Sequence, residues 1–369
     1  MLRYLTAGES HGKAVSALLE GMPSGLKLDI KALNADMSRR QGGYGRGGRQ
    51  AIERDVVDIT AGVRFATTLG SPIMINVINR DWENWHERMS VEGSSSKRGE
   101  LVTRPRPGHA DLAGAMKYAE GDVRNILERS SARETAARVA VGGVCKELLR
   151  AFGIDVFSWV IGVGGVSSKT SLLDSKKSAS ELFKAAEISA LRCPSKAATS
   201  KMKKAVDMAK AKGDSLGGLF EVAVTGTPPG LGSHVQWDRK LDARLTMALM
   251  SVQAIKSVEV GLGRDVSSTP GSRVHDEISF KGTSSSSCKG KAEYWPSAKH
   301  FMRKTNNAGG IEGGMTNGEP IILRAAMKPI PTLYKPLKSV DIRTKKSFLA
   351  TIERSDICAV PAASVVGEA

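Results

Sequence analysis

Two histidines stand in settings suited to moving protons. His11 lies in "GESHG" and His109 in "RPRPGHAD", each in a turn among small residues and each ahead of an expected helix. An unperturbed imidazole titrates near pH ~6.5, where a proton donor or acceptor works at neutrality. The structural alternative for either is a helix cap or a partner for a backbone carbonyl. Arginines set in glycine and serine accompany them: "RRQGGYGRGGR" from Arg39 to Arg49, "ERSSARET" with Arg129 and Arg133, and "ERSD" with Arg354 and Asp356. Guanidinium groups pair with carboxylates and phosphates through two parallel hydrogen bonds. Ser130 and Ser131 fall at an expected helix start, where backbone N–H groups and the dipole favour an anion. "NNAGGIEGGMTNG" is a further backbone-rich turn, and "KPIPT" sets Lys328 before a rigid one. His86, His234, His275 and His300 lack such framing and read as surface residues.

Three well-known motifs are approached and missed. "GESHGKA" is one residue short of a phosphate loop and has Ala14 where that loop needs Ser or Thr. "GYGRGG" spells G-x-G-x-x-G but follows the expected helix end "DMSRRQ" where a dinucleotide site needs a strand. "HERMS" has Ser90 in place of the second histidine of a zinc helix.

Net charge is +16, from 54 basic and 38 acidic residues, so the partner is expected to be an anion. An RNA-binding protein using "GGYGRGGR" fits that charge, but one such stretch without repeats or stacking platforms is thin support. Glycine, 39 of 369 residues, exceeds its usual share of about 7% and clusters in short polar turns, as in binding loops. Cys145, Cys193, Cys288 and Cys358 form no C-x-x-C pair, which argues against a zinc site and suits a reducing compartment. With no apolar leader after Met1 and no apolar run of about 18 residues, the expectation is a cytoplasmic protein without membrane spans.

The elements that must position these groups are partly legible. "SARETAARVAVGGVCKELLRAFG" reads as a helix stopped by Gly153, "TSKMKKAVDMAKAKG" as a helix with a Thr/Ser start and Gly213 as its stop, and "DRKLDARLTMALMSVQ" as a third. "SPIMINVIN", "LFEVAVTG" and "EPIILRAAM" read as strands. "SSKTSLLDSKKSASE" and "KGTSSSSCKGKAEYWPSAK" read as surface loops. Two motifs recur in order: "LLEGMPSGL" with "AVTGTPPGL", and "TLGSPIMI" with "TNGEPIIL". Either the chain holds two related β-α-β halves, about 1–165 and 215–369, or glycine-proline turns coincide by chance.

"GESHG", "RRQGGYGRGGR", "RPGHAD", "RSSARET", "SVQAIKSVEVG", "NNAGGIEGG" and "AAMKPIPT" occur in the order they have in chorismate synthases, and the chain resembles that family from residue 3 to about 366. The resemblance implies one domain over 1–369, of mixed α/β (α+β) class: a β-α-β sandwich of two pseudo-symmetric halves with antiparallel sheets around helices. It implies a lyase that removes phosphate and a ring proton from 5-enolpyruvylshikimate 3-phosphate by anti 1,4-elimination, with reduced FMN and no net redox change. By motif, His11, His109, Asp356 and Ser10 would be catalytic, and Arg40, Arg46, Arg133 and Arg354 would hold the substrate. Arg129, Ser130, Ser131, Gln253, Ala254, Gly313, Lys328, Pro329, Ile330, Pro331, Thr332 and Arg354 would hold the flavin. A homotetramer is implied, with no nucleic acid or membrane partner; the dihydroflavin would come from an external flavin reductase, NADPH being the other candidate reductant. Two features depart from the pattern: the serine-rich stretch near 265–304 is long, and the sequence ends at "VVGEA", before a further helix expected of the family.

Overall fold

The computed structural model describes residues 2–47, 54–92, 99–280, 301–350 and 355–369. Strands β1 (Arg3–Ala7), β2 (Ala14–Glu20), β3 (Asp58–Ala61) and β6 (Ile73–Ile78) form one antiparallel sheet in the order β1-β2-β6-β3. A small hairpin, β4 (Val63–Arg64) with β5 (Thr67–Thr68), fills the turn before β6. Strands β7 (Asp155–Val163), β8 (Val166–Ser167), β9 (Gly218–Thr225), β10 (Ile255–Val260) and β15 (Ile321–Met327) form a second antiparallel sheet, ordered β10-β15-β9-β7-β8. Short hairpins hang from this frame: β11 (Ile278–Phe280) with β12 (Phe301–Arg303), β13 (Ile311–Glu312) with β14 (Met315–Thr316), and β16 (Lys338–Val340) with β17 (Ser347–Leu349).

Helices α1 (Ile30–Gln41), α4 (Thr135–Ala151) and α9 (Val360–Glu368) lie between the sheets. The alternation of β2 and β6 turns Val15, Ala17, Leu19, Ile73, Ile75 and Val77 inward, all buried, to meet α4. Val160 of β7 and Phe220 and Val222 of β9 do the same from the second sheet towards α9. A helix placed between two sheets must be apolar nearly all round, and α4 is, through Ala136, Ala137, Val139, Ala140 and Val144. Its glycines set the packing distance: a Cβ on Gly142 would stand 2.5 Å from the Cβ of Ala369, so Gly142→Ala forces α9 away.

The ends of these helices are chemically fixed. Asp29 caps α1, its Oδ1 accepting from the N–H of Lys31 at 2.9 Å and of Ala32 at 3.0 Å. Arg39 and Arg40 occupy the last turn, where cations suit the dipole. Arg39 then pairs with buried Glu368 of α9 through bonds of 2.8 and 2.7 Å, joined by Lys146 of α4 and by the Ser158 hydroxyl at 2.7 Å. Burial alone would push the Glu368 carboxyl up; Lys146 and Arg39 outweigh it and hold it at about 2.

Around this sandwich lie α2 (Asp111–Tyr118), α3 (Arg124–Ser130), α5 (Ala179–Glu187), α6 (Lys196–Ala211), α7 (Leu241–Met250) and the single turn α8 (Gly271–Val274). None of the described helices is long and apolar enough to cross a membrane. The observed class is mixed helix and antiparallel sheet, as expected. Three local expectations change. His11 precedes strand β2, not a helix, because "AVSALLE" alternates with period two into the core. Helix α6 starts at Lys196 with Ser195 as its cap, ahead of the Thr/Ser start read from the sequence. The first serine-rich loop is no plain surface segment: Ser171 is buried with its hydroxyl on Glu221 at 2.6 Å, and "SASE" is the capping box of α5. The second serine-rich loop, 281–299, lies outside the described residues.

The repeated motifs form matching junctions. Gly25 N–H bonds Thr68 O at 2.9 Å and Gly230 N–H bonds Thr316 O at 2.8 Å, while both threonine hydroxyls donate at 2.6 Å, to Pro23 O and Pro228 O. Gly21 and Gly226, at φ +89 and +81, start both turns in the left-handed region that favours glycine. The strands of the first sheet all precede residue 79, and those of the second run from β7 onward.

Candidate functional site

The loops at one end of the sandwich converge on a cavity of about 590 Å³. The β1–β2 turn brings Ser10 and His11, the end of α1 brings Arg40, and the following glycine loop brings Arg46. The turn before α2 adds Arg106 and His109, the α3–α4 junction adds Ser130, Ser131 and Arg133, and the α7–β10 turn adds Gln253 and Ala254. Lys328 and Ile330 to Thr332 follow β15, and Asp356 stands before α9. Apolar surface comes from Leu127, Val252, Met327, Ala359 and Val366. Among the described residues of the wall, Arg40, Arg46, Arg106, Arg133 and Lys328 are cationic and Asp356 is acidic, so the cavity selects for anions.

Each histidine has a carboxylate at Nδ1. His11 Nδ1 lies 2.9 and 3.0 Å from the two Glu128 oxygens, and the His11 N–H donates to Glu128 Oε2 at 2.8 Å. The ring stacks on Trp85 with centroids 3.9 Å apart. Burial alone would raise the Glu128 carboxyl; the bonds and charge of His11, with Arg124 at 3.1 Å, hold it below the usual carboxylate range. His109 Nδ1 lies 2.5 Å from Asp111 Oδ1. Asp111 also accepts from the N–H and Nε of Arg106, both at 2.9 Å, and these bonds outweigh its burial and hold its carboxyl far down. Both rings are therefore oriented by a carboxylate at Nδ1.

The cations are held by shared acids. Asp55 takes Arg40 on one oxygen at 2.7 Å and Arg133 on the other at 2.6 Å. Burial pushes the Arg40 guanidinium below its ordinary value, Asp55 opposes this, and the charges of Arg133 and Arg46 add to it; a guanidinium stays protonated at neutrality regardless. Two guanidiniums on one carboxylate leave surplus positive charge facing the cavity. Arg46 bonds Asp356 at 2.6 Å, and Gly47 N–H holds the second Asp356 oxygen at 2.6 Å. The buried Nε–H groups of Arg40 and Arg46 have no acceptor among the described residues.

Gln253 supplies an acceptor. Its Nε2 donates to Glu134 at 2.9 Å, and since a carboxylate only accepts, this fixes which way the amide points. The Gln253 Oε1 is buried without a partner among the described residues, in a residue lining the cavity. Next to it Ala254 adopts φ +68, a strained conformation for a residue with a Cβ, at the same wall.

Most expected site residues meet here: Ser10, His11, Arg40, Arg46, His109, Ser130, Ser131, Arg133, Gln253, Ala254, Lys328, Ile330, Pro331, Thr332 and Asp356 all line the cavity. Three are not among its lining residues. Arg129 turns its guanidinium to the Thr6 carbonyl at 2.8 Å and the Gly8 carbonyl at 3.1 Å, bracing β1. Gly313 sits in the turn between β13 and β14, and Pro329 lies between two lining residues without lining itself. Arg354 lies outside the described residues. Sequence reasoning missed Glu128, Asp111, Asp55, Arg106 and Trp85. Asp111 and Arg106 stand in plain view within "RPRPGHAD"; Asp55 gives no signal, being one of three acids in "ERDVVD" with nothing local to single it out.

The chorismate synthase family model matches residues 2–369. The chorismate synthase of Geobacter metallireducens is 58% identical over 368 residues, covering 100% of this chain and 91% of that protein. That of Desulforamulus reducens is 54% identical over 369 residues, with the same coverage. A crystal structure of chorismate synthase superposes with a TM-score of 0.75 at 42% identity, over 100% of this chain and 88% of that one. The chain belongs to the chorismate synthase family. It is thereby an enzyme of the shikimate pathway, which supplies aromatic biosynthesis. The RGG-like stretch contributes Arg46 and Gly47 to the cavity wall.

Proposed function

We propose that the enzyme converts 5-enolpyruvylshikimate 3-phosphate to chorismate and inorganic phosphate by anti 1,4-elimination in this cavity, with reduced FMN as cofactor. The observation that carries the reading is the joint presence of two carboxylate-oriented histidines, a cationic wall and a buried orphan acceptor around one cavity. The substrate bears two carboxylates and a phosphate, which match Arg40, Arg46, Arg133 and Lys328. The residues present also fit a flavin: apolar surface from Val252, Met327 and Ile330 suits a flat ring system, and Gln253 Oε1 suits a ring N–H. Bound there, the dihydroflavin would supply electron density to the allylic system and a basic nitrogen near the ring proton.

The chain's own groups then move the protons. His11 donates from Nε2 to the departing phosphate, and Asp356, with Ser10 and Ser131 as relays 3.1 Å apart, carries the ring proton away. Phosphate leaves one carbon, a proton leaves another, and a double bond forms, so no electrons are gained or lost overall. In the same reading a separate reductase supplies the dihydroflavin and the enzyme works as a cytoplasmic homotetramer. Anaerobic incubation of the protein with 5-enolpyruvylshikimate 3-phosphate, with and without reduced FMN, tests this. Phosphate and chorismate should appear together only with the reduced cofactor; release without it, or none with it, overturns the reading.

A further inference from the structure

The β1–β2 turn is clamped from two sides. Asn79 Nδ2 donates to Ser10 O at 3.2 Å and to Gly12 O at 3.0 Å, bracketing the residue between them. Glu128 then holds that residue, His11, at its backbone N–H and at Nδ1 with one carboxylate, whose side chain is 1% exposed. Trp85 covers the ring face, its own Nε1 tied to Asp81 at 3.0 Å. A simple tie between α3 and the turn needs the backbone bond alone. The bond to Nδ1 does something more, because it decides which ring nitrogen carries the exchangeable proton.

We propose that Glu128 is a positioning residue for proton donation by His11, fixing the Nδ1–H tautomer while Trp85 fixes the plane of the ring. The assignment rests on the proposed function for what the proton is used for, and on geometry alone for the tautomer. With Glu128 ionised, Nδ1 keeps its proton in both charge states of the ring. The Nε2 proton passes to a phosphate oxygen as the carbon–oxygen bond breaks; the ring is left neutral, and Glu128 is unchanged. Charged groups described around the pair are Arg124, which bonds Glu128 and lies 5.1 Å from the Trp85 ring centre, Arg88 at 5.9 Å from that centre, Asp81 on the Trp85 Nε1, and Arg133 and Asp356 in the wall of the same cavity.

The test uses Glu128→Gln and Glu128→Asp in the full chain. Glutamine keeps the shape and can still accept the His11 N–H, but lacks the charge. For Glu128→Gln, kcat with reduced FMN should fall about 10²-fold while KM changes less than about threefold. The alkaline limb of the kcat profile should move to lower pH, since the variant has no negative charge at Nδ1. A second readout needs no cofactor: an imidazolium stacked on an indole quenches its fluorescence, so the Trp85 signal, taken as the difference from Trp85→Phe, should titrate, and its midpoint should move by the same amount. Glu128→Asp should lose turnover with its limb unmoved, since charge is kept and alignment is not. Full turnover in Glu128→Gln, or a loss equal at every pH with the fluorescence midpoint unmoved, would mean a structural tie and overturn the assignment. If Glu128→Gln fails to fold, Glu128→Asp decides: a lowered kcat at an unmoved limb supports it, full kcat refutes it. If the wild type converts no substrate, the proposed function fails, and the fluorescence comparison still judges Glu128.

Discussion

His11 reaches its carboxylate across 117 residues, from the β1–β2 turn to α3, whereas His109 finds one two residues further along its own turn. Asp111 is the first residue of α2, where the helix dipole already favours a negative charge, and Arg106 matches that charge through three further bonds. Glu128 is met by Arg124 at a single contact and keeps both oxygens on His11. The His109 ring also lies close to a cation, with Arg106 Nη2 at 3.2 Å from Nδ1. One residue pair thus serves in two electrostatic settings: an imidazole opposed by a carboxylate, and an imidazole inside an ion pair that is already complete. The first setting suits a group that gives up a proton against developing negative charge. The second suits a ring held in place beside the site.

The largest effect that could break this contrast is on turnover. His11→Ala should lower kcat roughly 10²–10⁴-fold, the range expected for a lost general acid, with phosphate release under anaerobic conditions as the measure. His109→Ala should fall at the lower end, about 10². Equal losses would remove the distinction, and undiminished activity in both would remove the roles.

How much of this could be read from the chain follows the same contrast. The α4 helix, the strands β6, β9 and β15 and the Gly153 and Gly213 stops were legible because their signals are local: periodicity, flanking glycine, proline. The His109 site was legible for the same reason, since Arg106, His109 and Asp111 share one turn. Glu128 opens "ERSSARET" and shows no local sign of its role there, because its partner lies 117 residues away in the chain. Asp55, between Arg40 and Arg133, is a product of tertiary folding alone. The helix expected after His11 was wrong because "AVSALLE" is short enough to read either way until a sheet claims it.

Stability should separate the two sites next. Asp111→Asn leaves Arg106 and His109 facing an uncharged amide, and removing one partner of a buried ion pair such as Arg106–Asp111 costs about 3–5 kcal/mol. Urea unfolding at pH 7 would show it as a lower midpoint at unchanged m. A cost under about 1 kcal/mol would mean that Arg106 and His109 find other acceptors, and that the pair is not complete in the sense argued.

Acid should then weaken both. Glu128 and Asp111 have folded-state carboxyls held below their unfolded values of about 4.3 and 3.9. Such groups contribute stability that is fully present above the unfolded values and is lost as pH falls through the folded ones. The urea midpoint of the wild type should therefore decline from pH 6 to pH 3, and less steeply in Asp111→Asn, which has one fewer proton to take up on unfolding. A parallel decline in the two proteins would place the acid sensitivity elsewhere, with Glu368, held at about 2, the first group to test.

The smallest effect belongs to a histidine outside the comparison. His234 is exposed, in the stretch between Gly232 and the turn before α7, and no described carboxylate holds its ring. If environment, not residue type, makes His11 and His109 effective, then His234→Ala should leave turnover unchanged and shift unfolding by no more than about 0.5 kcal/mol, as surface replacements do. The outcome matters because a cavity rich in arginine draws its anion over some distance, and a titrating surface group near the path could alter the apparent KM without touching chemistry. A change in KM that disappears at high salt would identify such steering and leave the contrast intact. A tenfold loss of kcat would not: it would mean that a solvated imidazole without an orienting carboxylate takes part in the reaction, and that buried carboxylates are not what singles out the other two.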